Sequence, residues 1–255
     1  MQKKRSPKRE KVYIYGPHAL MEALENTPHT IRKVFLAKGR ENQKLRAKLA
    51  QFDIPVAEMA AEEGTSLVGR DASHQGVIAT MEPEKLLISL DDFLATLDTK
   101  KNPAVVVLGE VQDPHNVGAI IRSAAAFGLA GVLIPERNQA PVTGTVVKTS
   151  AGMAFRIPLV AIGNVNHALE VLKKHGFWTY GLSMEGSTAL GGDPFDTPVA
   201  FIIGNEGDGI REKTLLACDV KLSIPMHPRT ESLNAAVSAA VVFYEWSKKH
   251  PEHLA

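Results

Sequence analysis

From Ala104 onward the sequence alternates between short unbroken apolar runs and stretches with helical periodicity, and this alternation restricts the fold more than any other feature. AVVVLGEV (104–111) is a continuous apolar run, which predicts a parallel strand buried on both faces. GVLIPE (131–136), FWTYGLS (177–183), VAFIIG (199–204) and VKLSIP (220–225) predict further strands. Between and after them, NVGAIIRSAAAFG (116–128), NVNHALEVLKKHG (164–176), IREKTLLACD (210–219) and SLNAAVSAAVVFYEWSKKH (232–250) predict helices, the first closed by Gly128. The expectation is an α/β domain around a parallel sheet, with any ligand beyond the carboxyl ends of its strands.

The segment before it reads as a separate, smaller α/β unit. GPHALMEALEN places Ala19, Leu20, Ala23 and Leu24 on one helical face, ENQKLRAKLAQF predicts a second helix, and IRKVFLA, IPVAEM and QGVIATM predict strands. The expected boundaries are 12–82 for this unit, 83–102 for a linker and 103–255 for the larger domain. Within the linker, SLDDFLATL predicts a short helix capped by Ser89, with Asp91 and Asp92 in its first turn. Residues 1–11 predict a disordered basic arm. They carry a net +5 in a chain whose total is +1, so the remainder is slightly acidic, and an arm of that kind suits a polyanion partner or a solubilising tail. It has no apolar segment behind it and does not read as a secretory signal. No stretch reaches the roughly 20 apolar residues of a membrane span. A lone cysteine, Cys218, excludes an internal disulfide and fits a reducing compartment, so a cytoplasmic protein is expected. The nine histidines show no ligand spacing, and no metal is expected.

Three loops follow three of the predicted strands. In GEVQDPHNVGAIIRSAAAFG (109–128), Asp113-Pro114 signals a turn, Asn116 sits where a helix cap is expected, and Arg122 stands in a small apolar face. That cation either snorkels to the surface or projects into a site that handles phosphate or a reacting oxygen. The loop GNEGDG (204–209) has glycines that allow close backbone approach and a carboxylate, Glu206, at a strand end. Its spacing is neither the dinucleotide fingerprint nor a Walker A. In SIPMHPRTESLNAAVSAAVVFYE (223–245), Ser232 and Asn234 stand at the start of an apolar helix whose buried stripe is expected to be Leu233, Val237, Val241 and Tyr244.

In this order the three stretches resemble the motifs of the SpoU, or TrmH-type, branch of the SPOUT RNA methyltransferases. NVGAIIRSAAAFG resembles the first motif, IIGNEGDGI the second and IPMHPRTESLNAAVSAA the third. Residues 12–82 resemble the family's ribosomal-protein-like substrate-binding domain. The resemblance implies S-adenosyl-L-methionine as methyl donor, a ribose 2′-hydroxyl of RNA as acceptor, a deep trefoil knot and a homodimer. Carried over by position, it implies catalytic roles for Asn116, Arg122, Glu206, Ser232 and Asn234. It implies cofactor contacts at Gly204, Asn205, Glu206, Gly207, Ile224, Met226, Ser232 and Leu233. The two-domain layout is most similar to enzymes that methylate a guanosine of 23S rRNA, with transfer RNA as the alternative substrate.

The transfer is an in-line displacement in which the acceptor hydroxyl must shed a proton. Arg122 matches the family's general-base position. A guanidinium with a pKa above about 12 is also suited to holding phosphate or stabilising the emerging alkoxide. Arg32, Lys33, Lys44, Arg46 and Lys48 are candidate RNA contacts in the small domain, or an ordinary solvated face. Competing readings are a base methyltransferase of the same superfamily, a non-catalytic RNA-binding or ribosome-assembly factor, and a nucleotide-dependent oxidoreductase. The last lacks the G-x-G-x-x-G fingerprint.

Overall fold

A computed structural model describes residues 11–39, 43–69, 72–184, 188–205, 207–230 and 232–254. The expected basic arm, apart from Lys11, lies outside the described residues. The chain divides between Lys85 and Leu86 into two compact units.

The smaller unit runs β1 (Val12–Tyr15), α1 (Pro17–Asn26), β2 (Ile31–Ala37), α2 (Gln43–Gln51), β3 (Val56–Met59), α3 (Ala61–Val68) and β4 (Val77–Met81). Its sheet order is β1-β4-β2-β3, with only the β2–β3 pair parallel. The expected face of α1 is buried at Leu20, Ala23 and Leu24. In β2 the pairing slips between Ile31 and Lys33, so one extra residue opposes β4. This bulge lets Ile31 and Val34 both point inward while Arg32 and Lys33 both stay exposed. Helix α3 was not anticipated from the sequence. Gly64 weakens its helical signal, yet the residue is closely packed: a Cβ there would sit 3.0 Å from the His74 ring and 3.2 Å from the Met59 methyl.

The larger unit contains β5 (Leu87–Ser89), α4 (Leu90–Thr96), β6 (Ala104–Gly109), α5 (Pro114–Ala126), β7 (Gly131–Pro135), α6 (Gly144–Thr149), β8 (Leu159–Ile162), α7 (Val165–Lys174), β9 (Trp178–Leu182), β10 (Thr188–Ala189), β11 (Val199–Gly204), α8 (Glu212–Ala217), β12 (Val220–Ser223) and α9 (Ala235–Lys249). Its eight strands lie in the order β10-β12-β9-β11-β6-β7-β8-β5, and every pair is parallel. Strands β6, β7 and β11 are buried along almost their whole length, as uninterrupted apolar runs require. From β6 the chain winds outward through β7 and β8, then crosses to build β9, β11 and β12 on the other side. The winding therefore reverses at the β6–β11 boundary, where parallel sheets open a crevice at their carboxyl ends.

Two sequence expectations change here. Leu87–Ser89, placed in the linker, instead pairs with β8 as the edge strand β5. Ser89 does cap α4, its hydroxyl oxygen accepting from the Asp92 amide at 3.1 Å. The second change concerns α9. Leu233, Val237, Val241 and Tyr244 are not its buried stripe; they are 36%, 48%, 36% and 55% exposed. Ala235, Ala236, Ala239, Val242, Phe243 and Trp246 face inward instead. Both sets follow helical spacing. The inward set carries Phe243 and Trp246, whose rings bury more area than two valines, and the small alanines allow close packing against α5 and β11.

The end of α9 is latched. His250 Nε2 donates to the Phe195 carbonyl at 2.8 Å and His253 Nε2 to the Lys101 carbonyl at 2.7 Å, with Trp246 packed against both imidazoles. Gly128, at φ 75°, ends α5 and leaves room for this latch, since a Cβ there would fall 2.3 Å from the His253 carbonyl oxygen. Among the described residues, His250, Glu252 and His253 form the one group of three metal-ligand types, within 4.8 Å of one another. With an imidazole nitrogen of each histidine donating to a backbone carbonyl, the group serves the latch. No helix among the described residues is long and apolar enough to cross a membrane.

Candidate active site

The three loops singled out in the sequence all leave carboxyl ends of strands: β6, its neighbour β11, and β12 two positions away. In the first, the helix cap is Asp113 and not Asn116. The Asp113 carboxylate accepts from the His115 amide at 2.8 Å, with Pro114 at the first helical position. Proline needs no amide partner there and aspartate offers the better cap, so the helix starts three residues before the expected point. Asn116 thereby falls inside the first turn of α5, where its side chain is 8% exposed.

Its partner is the other asparagine of the expected site. Asn234 Nδ2 donates to Asn116 Oδ1 at 2.9 Å, across 118 positions of sequence. Asn234 is also the N-cap of α9, its Oδ1 accepting from the amides of Ala236 at 2.9 Å and Val237 at 3.2 Å. One side chain thus caps the last helix and holds the first turn of α5. Asn116 makes a further interaction besides this bond. Arg122 lies six residues along α5, about 9 Å up the axis and roughly 120° around it by helical geometry, with its side chain exposed. The structure does not bring Arg122 onto the Asn116–Asn234 pair.

The second loop is built on close backbone contact. Gly204 ends β11 in register with Gly109 at the end of β6. A Cβ on Gly204 would stand 2.2 Å from the Gly209 carbonyl carbon and 2.3 Å from the Ile210 nitrogen, and one on Gly109 would stand 2.9 Å from the Ile203 carbonyl oxygen. Glycine is obligatory at both. Asn205 folds the loop: its amide donates to the Gly209 carbonyl at 3.1 Å, and its Oδ1 accepts from the amides of Gly207 at 2.9 Å and Asp208 at 2.7 Å. Gly207 is exposed, and Glu206 lies outside the described residues. In the third loop, Ile224 and Met226 are half-buried just after β12, while Ser232 and Leu233 are exposed immediately before the α9 cap. The second loop thus offers closely packed bare backbone at Gly204, and the third offers half-buried Ile224 and Met226 after β12.

Three groups with displaced pKa values, Tyr180, Cys218 and Asp219, lie on β9 and just before β12. Burial pushes the Cys218 thiol up to about 11. Burial also raises Tyr180, with its hydrogen bond to Asp193 adding to the shift. Burial alone would raise the Asp219 carboxyl; hydrogen bonds from Lys173 and Thr179 outweigh it and hold Asp219 low. This network ties strands together at the far end of the sheet and takes no part in the site. Of the candidate RNA contacts in the smaller unit, Arg32, Lys33, Lys44 and Arg46 are exposed, while Lys48 is paired with Glu25 at 2.7 Å.

Comparison with known proteins decides the family. Residues 103–244 match the SpoU rRNA Methylase family, and residues 13–87 match the family described as RNA 2′-O ribose methyltransferase substrate binding. The chain belongs to the SpoU methylase family. A SpoU relative, the 23S rRNA (guanosine-2′-O-)-methyltransferase RlmB of Xanthomonas campestris, is 37% identical over 239 residues, covering 91% of this chain and 94% of the relative. An uncharacterized tRNA/rRNA methyltransferase of Synechocystis is 34% identical over 235 residues, and the chain spans 61% of that relative's length. The SpoU methyltransferase AviRb of Streptomyces viridochromogenes, solved with AdoMet, shares the fold with a TM-score of 0.78 at 24% identity, over 94% of this chain and 91% of that one.

Sequence reasoning missed the roles of Asp113 as cap and of Gly109 and Glu110 at the end of β6. Asp113-Pro114 carried the cap signal in its proline. Nothing local marked Glu110, whose partner is 101 residues away.

Proposed function

We propose that this chain transfers a methyl group from S-adenosyl-L-methionine to a ribose 2′-hydroxyl of RNA, and that the ribose belongs to a guanosine of 23S rRNA. The observation that carries the reading is the Asn234–Asn116 hydrogen bond, which joins the third SpoU motif to the first. RlmB relatives that span almost the whole chain, and the match of residues 13–87 to a substrate-binding family, support the ribosomal target.

Gly204, Asn205, Glu206 and Gly207 hold the cofactor together with Ile224, Met226, Ser232 and Leu233. The absence of room for a Cβ at Gly204 supports close backbone packing there. When bound, the cofactor supplies a methyl group on a positively charged sulfur. Asn116, fixed by Asn234, orients the acceptor ribose. Arg122 holds the adjoining phosphate and stabilises charge on the 2′-oxygen as its proton leaves, a role that suits the fork of a guanidinium better than that of a literal base. Ser232 positions the ligand ahead of α9.

Residues 12–82 grip the RNA, 103–255 with the edge strand and helix of 87–96 perform the chemistry, and the basic arm 1–11 adds salt-sensitive affinity. The active form is a homodimer of knotted subunits in the cytoplasm. The dimer is supported by the exposed apolar set on α9, and the knot by family membership.

The test is incubation with radiolabelled S-adenosyl-L-methionine and unmodified 23S rRNA or bulk tRNA transcripts, followed by alkaline digestion. Label in an alkali-resistant dinucleotide from 23S rRNA is the expected result. The same product from tRNA would move the substrate, label in a mononucleotide would mean base methylation, and no label together with no cofactor binding would overturn the reading.

A further inference from the structure

Both ends of the 204–210 loop are fastened to two consecutive residues. Its beginning is set by the β11–β6 register, which places Gly204 opposite Gly109. Its end is set by Arg211, whose Nε and Nη2 donate to Glu110 Oε2 at 2.8 and 2.6 Å. Glu110 adopts φ 67°, a left-handed conformation that a residue with a Cβ takes only under constraint. The Glu110 side chain is 18% exposed and that of Arg211 64%. An ion pair whose guanidinium is this open to solvent adds little to global stability, so the strained backbone at Glu110 calls for another explanation. Glu110 also begins the 110–113 segment that leads to the Asp113 cap and Asn116. The pair therefore links the exit of the cradle to the approach of the helix that carries the acceptor-orienting residue.

We propose that Glu110 and Arg211 are a positioning pair for methyl transfer, closing the cofactor loop onto the end of β6 and keeping it in register with α5. This rests on the reading of the 204–210 loop as the S-adenosylmethionine cradle. Neither residue is placed on the reacting atoms. Their effect is to keep the cradle in its binding conformation, so that binding does not have to order it.

The full-length protein is tested by calorimetric titration with S-adenosylmethionine alone, alongside thermal melting without ligand. Glu110→Gln and Arg211→Ala are expected to weaken cofactor binding about tenfold, equivalent to about 1.4 kcal/mol. The ligand-free Tm should stay within about 2 °C of wild type. Arg211→Lys recovers part of the affinity, and exchanging the charges as Glu110→Arg with Arg211→Glu returns it to within about threefold. Glu110→Gly separates the two roles, because it relaxes the left-handed backbone while removing the carboxylate; binding should weaken as in Glu110→Gln with no loss of Tm. Wild-type affinity in every single variant overturns the pair, as does weakened binding that tracks a fall in Tm, Glu110→Gly included. If the wild-type protein itself does not bind the cofactor, the methyl-transfer reading falls and the pair with it.

Discussion

Replacing Asn234 by alanine and, separately, by aspartate divides two functions that one amide performs. Its Oδ1 accepts from two amides at the start of α9, and its Nδ2 donates to Asn116. Alanine removes both. Losing an asparagine cap costs about 1 kcal/mol and losing the side-chain hydrogen bond costs about another, for a total of about 2 kcal/mol. In a unit of about 170 residues, 1 kcal/mol moves Tm by roughly 2–4 °C, so Asn234→Ala should melt about 4–8 °C early. Aspartate keeps the cap, and a negative charge at a helix start is favourable. It loses the donor, however, and sets a carboxylate oxygen against Asn116 Oδ1. Asn116 is buried, so its amide has little room to adjust. Asn234→Asp should therefore lose only about 1 kcal/mol, a Tm shift of roughly 2–4 °C. Turnover behaves differently. Both variants free Asn116, so both should lose methyl transfer by about tenfold or more. Thermal melting and a methyl-incorporation assay on the same preparations supply the two readouts. Wild-type turnover in Asn234→Asp would refute the claim that Asn116 needs its partner. Equal melting of the two variants would refute the cap.

Gly204→Ala drives a Cβ to 2.2 Å from backbone, not from a side chain that can swing away, so the loop itself must shift. Its S-adenosylmethionine affinity should fall at least about tenfold with an unchanged far-UV spectrum, and retained affinity would show that the loop is not the cradle. The proposed dimer is tested by Val241→Glu, which places a charge in the exposed apolar set of α9: sedimentation should give a dimer for wild type and a monomer for the variant, and a monomeric wild type would refute the dimer. Cys218, with its thiol pushed up to about 11 from 9.0, stays protonated at pH 8, so iodoacetamide should react roughly a hundredfold more slowly than with an ordinary thiol; fast labelling would contradict the burial. The Asp219 carboxyl is lower in the folded than in the unfolded chain, so its stabilisation is present above the ordinary carboxylate range and is lost as pH falls through the folded value. Asp219→Asn should therefore melt below wild type at pH 7, with the gap closing below about pH 4; a gap that persists in acid would assign it to packing.

The parallel sheet was legible because strands buried on both faces leave an unmistakable apolar run, and the helix ends were legible where Ser89, Asn164 or Gly128 marked them. What local pattern left open was decided by distant partners. Asn116 and Asp113 are both good caps three residues apart, and the choice went to Asp113 because Pro114 starts a helix well and Asn116 is engaged by Asn234. Strand β5 is three residues long and finds its pair 72 residues later, so it reads as linker until β8 is in place. The site followed the same rule. Its glycines and asparagines could be picked out as loop chemistry, but the Glu110–Arg211 link and the Asn234–Asn116 bond exist only once the β6–β11 register has been formed.

The inverted assignment of α9 has a further consequence. Two apolar stripes run along this helix, and a single globular unit needs only one. The inward stripe takes the two large rings, Phe243 and Trp246, both 0% exposed. The outward one, Val237, Val241 and Tyr244 following Leu233, lies on consecutive turns, and Tyr244 packs edge-on against Phe127 at the end of α5 with centroids 5.8 Å apart. The exposed patch thus runs from the start of α9, where Asn234 caps it beside Asn116, to the end of the helix that carries Arg122. A second subunit docked on this patch would cover apolar surface that water otherwise meets, at a cost in exposure no monomer needs to carry. It would also rest against both helices of the candidate site. Dimerisation and site geometry are then coupled through α5 and α9, and a variant that separates the subunits should lose turnover before it loses its fold.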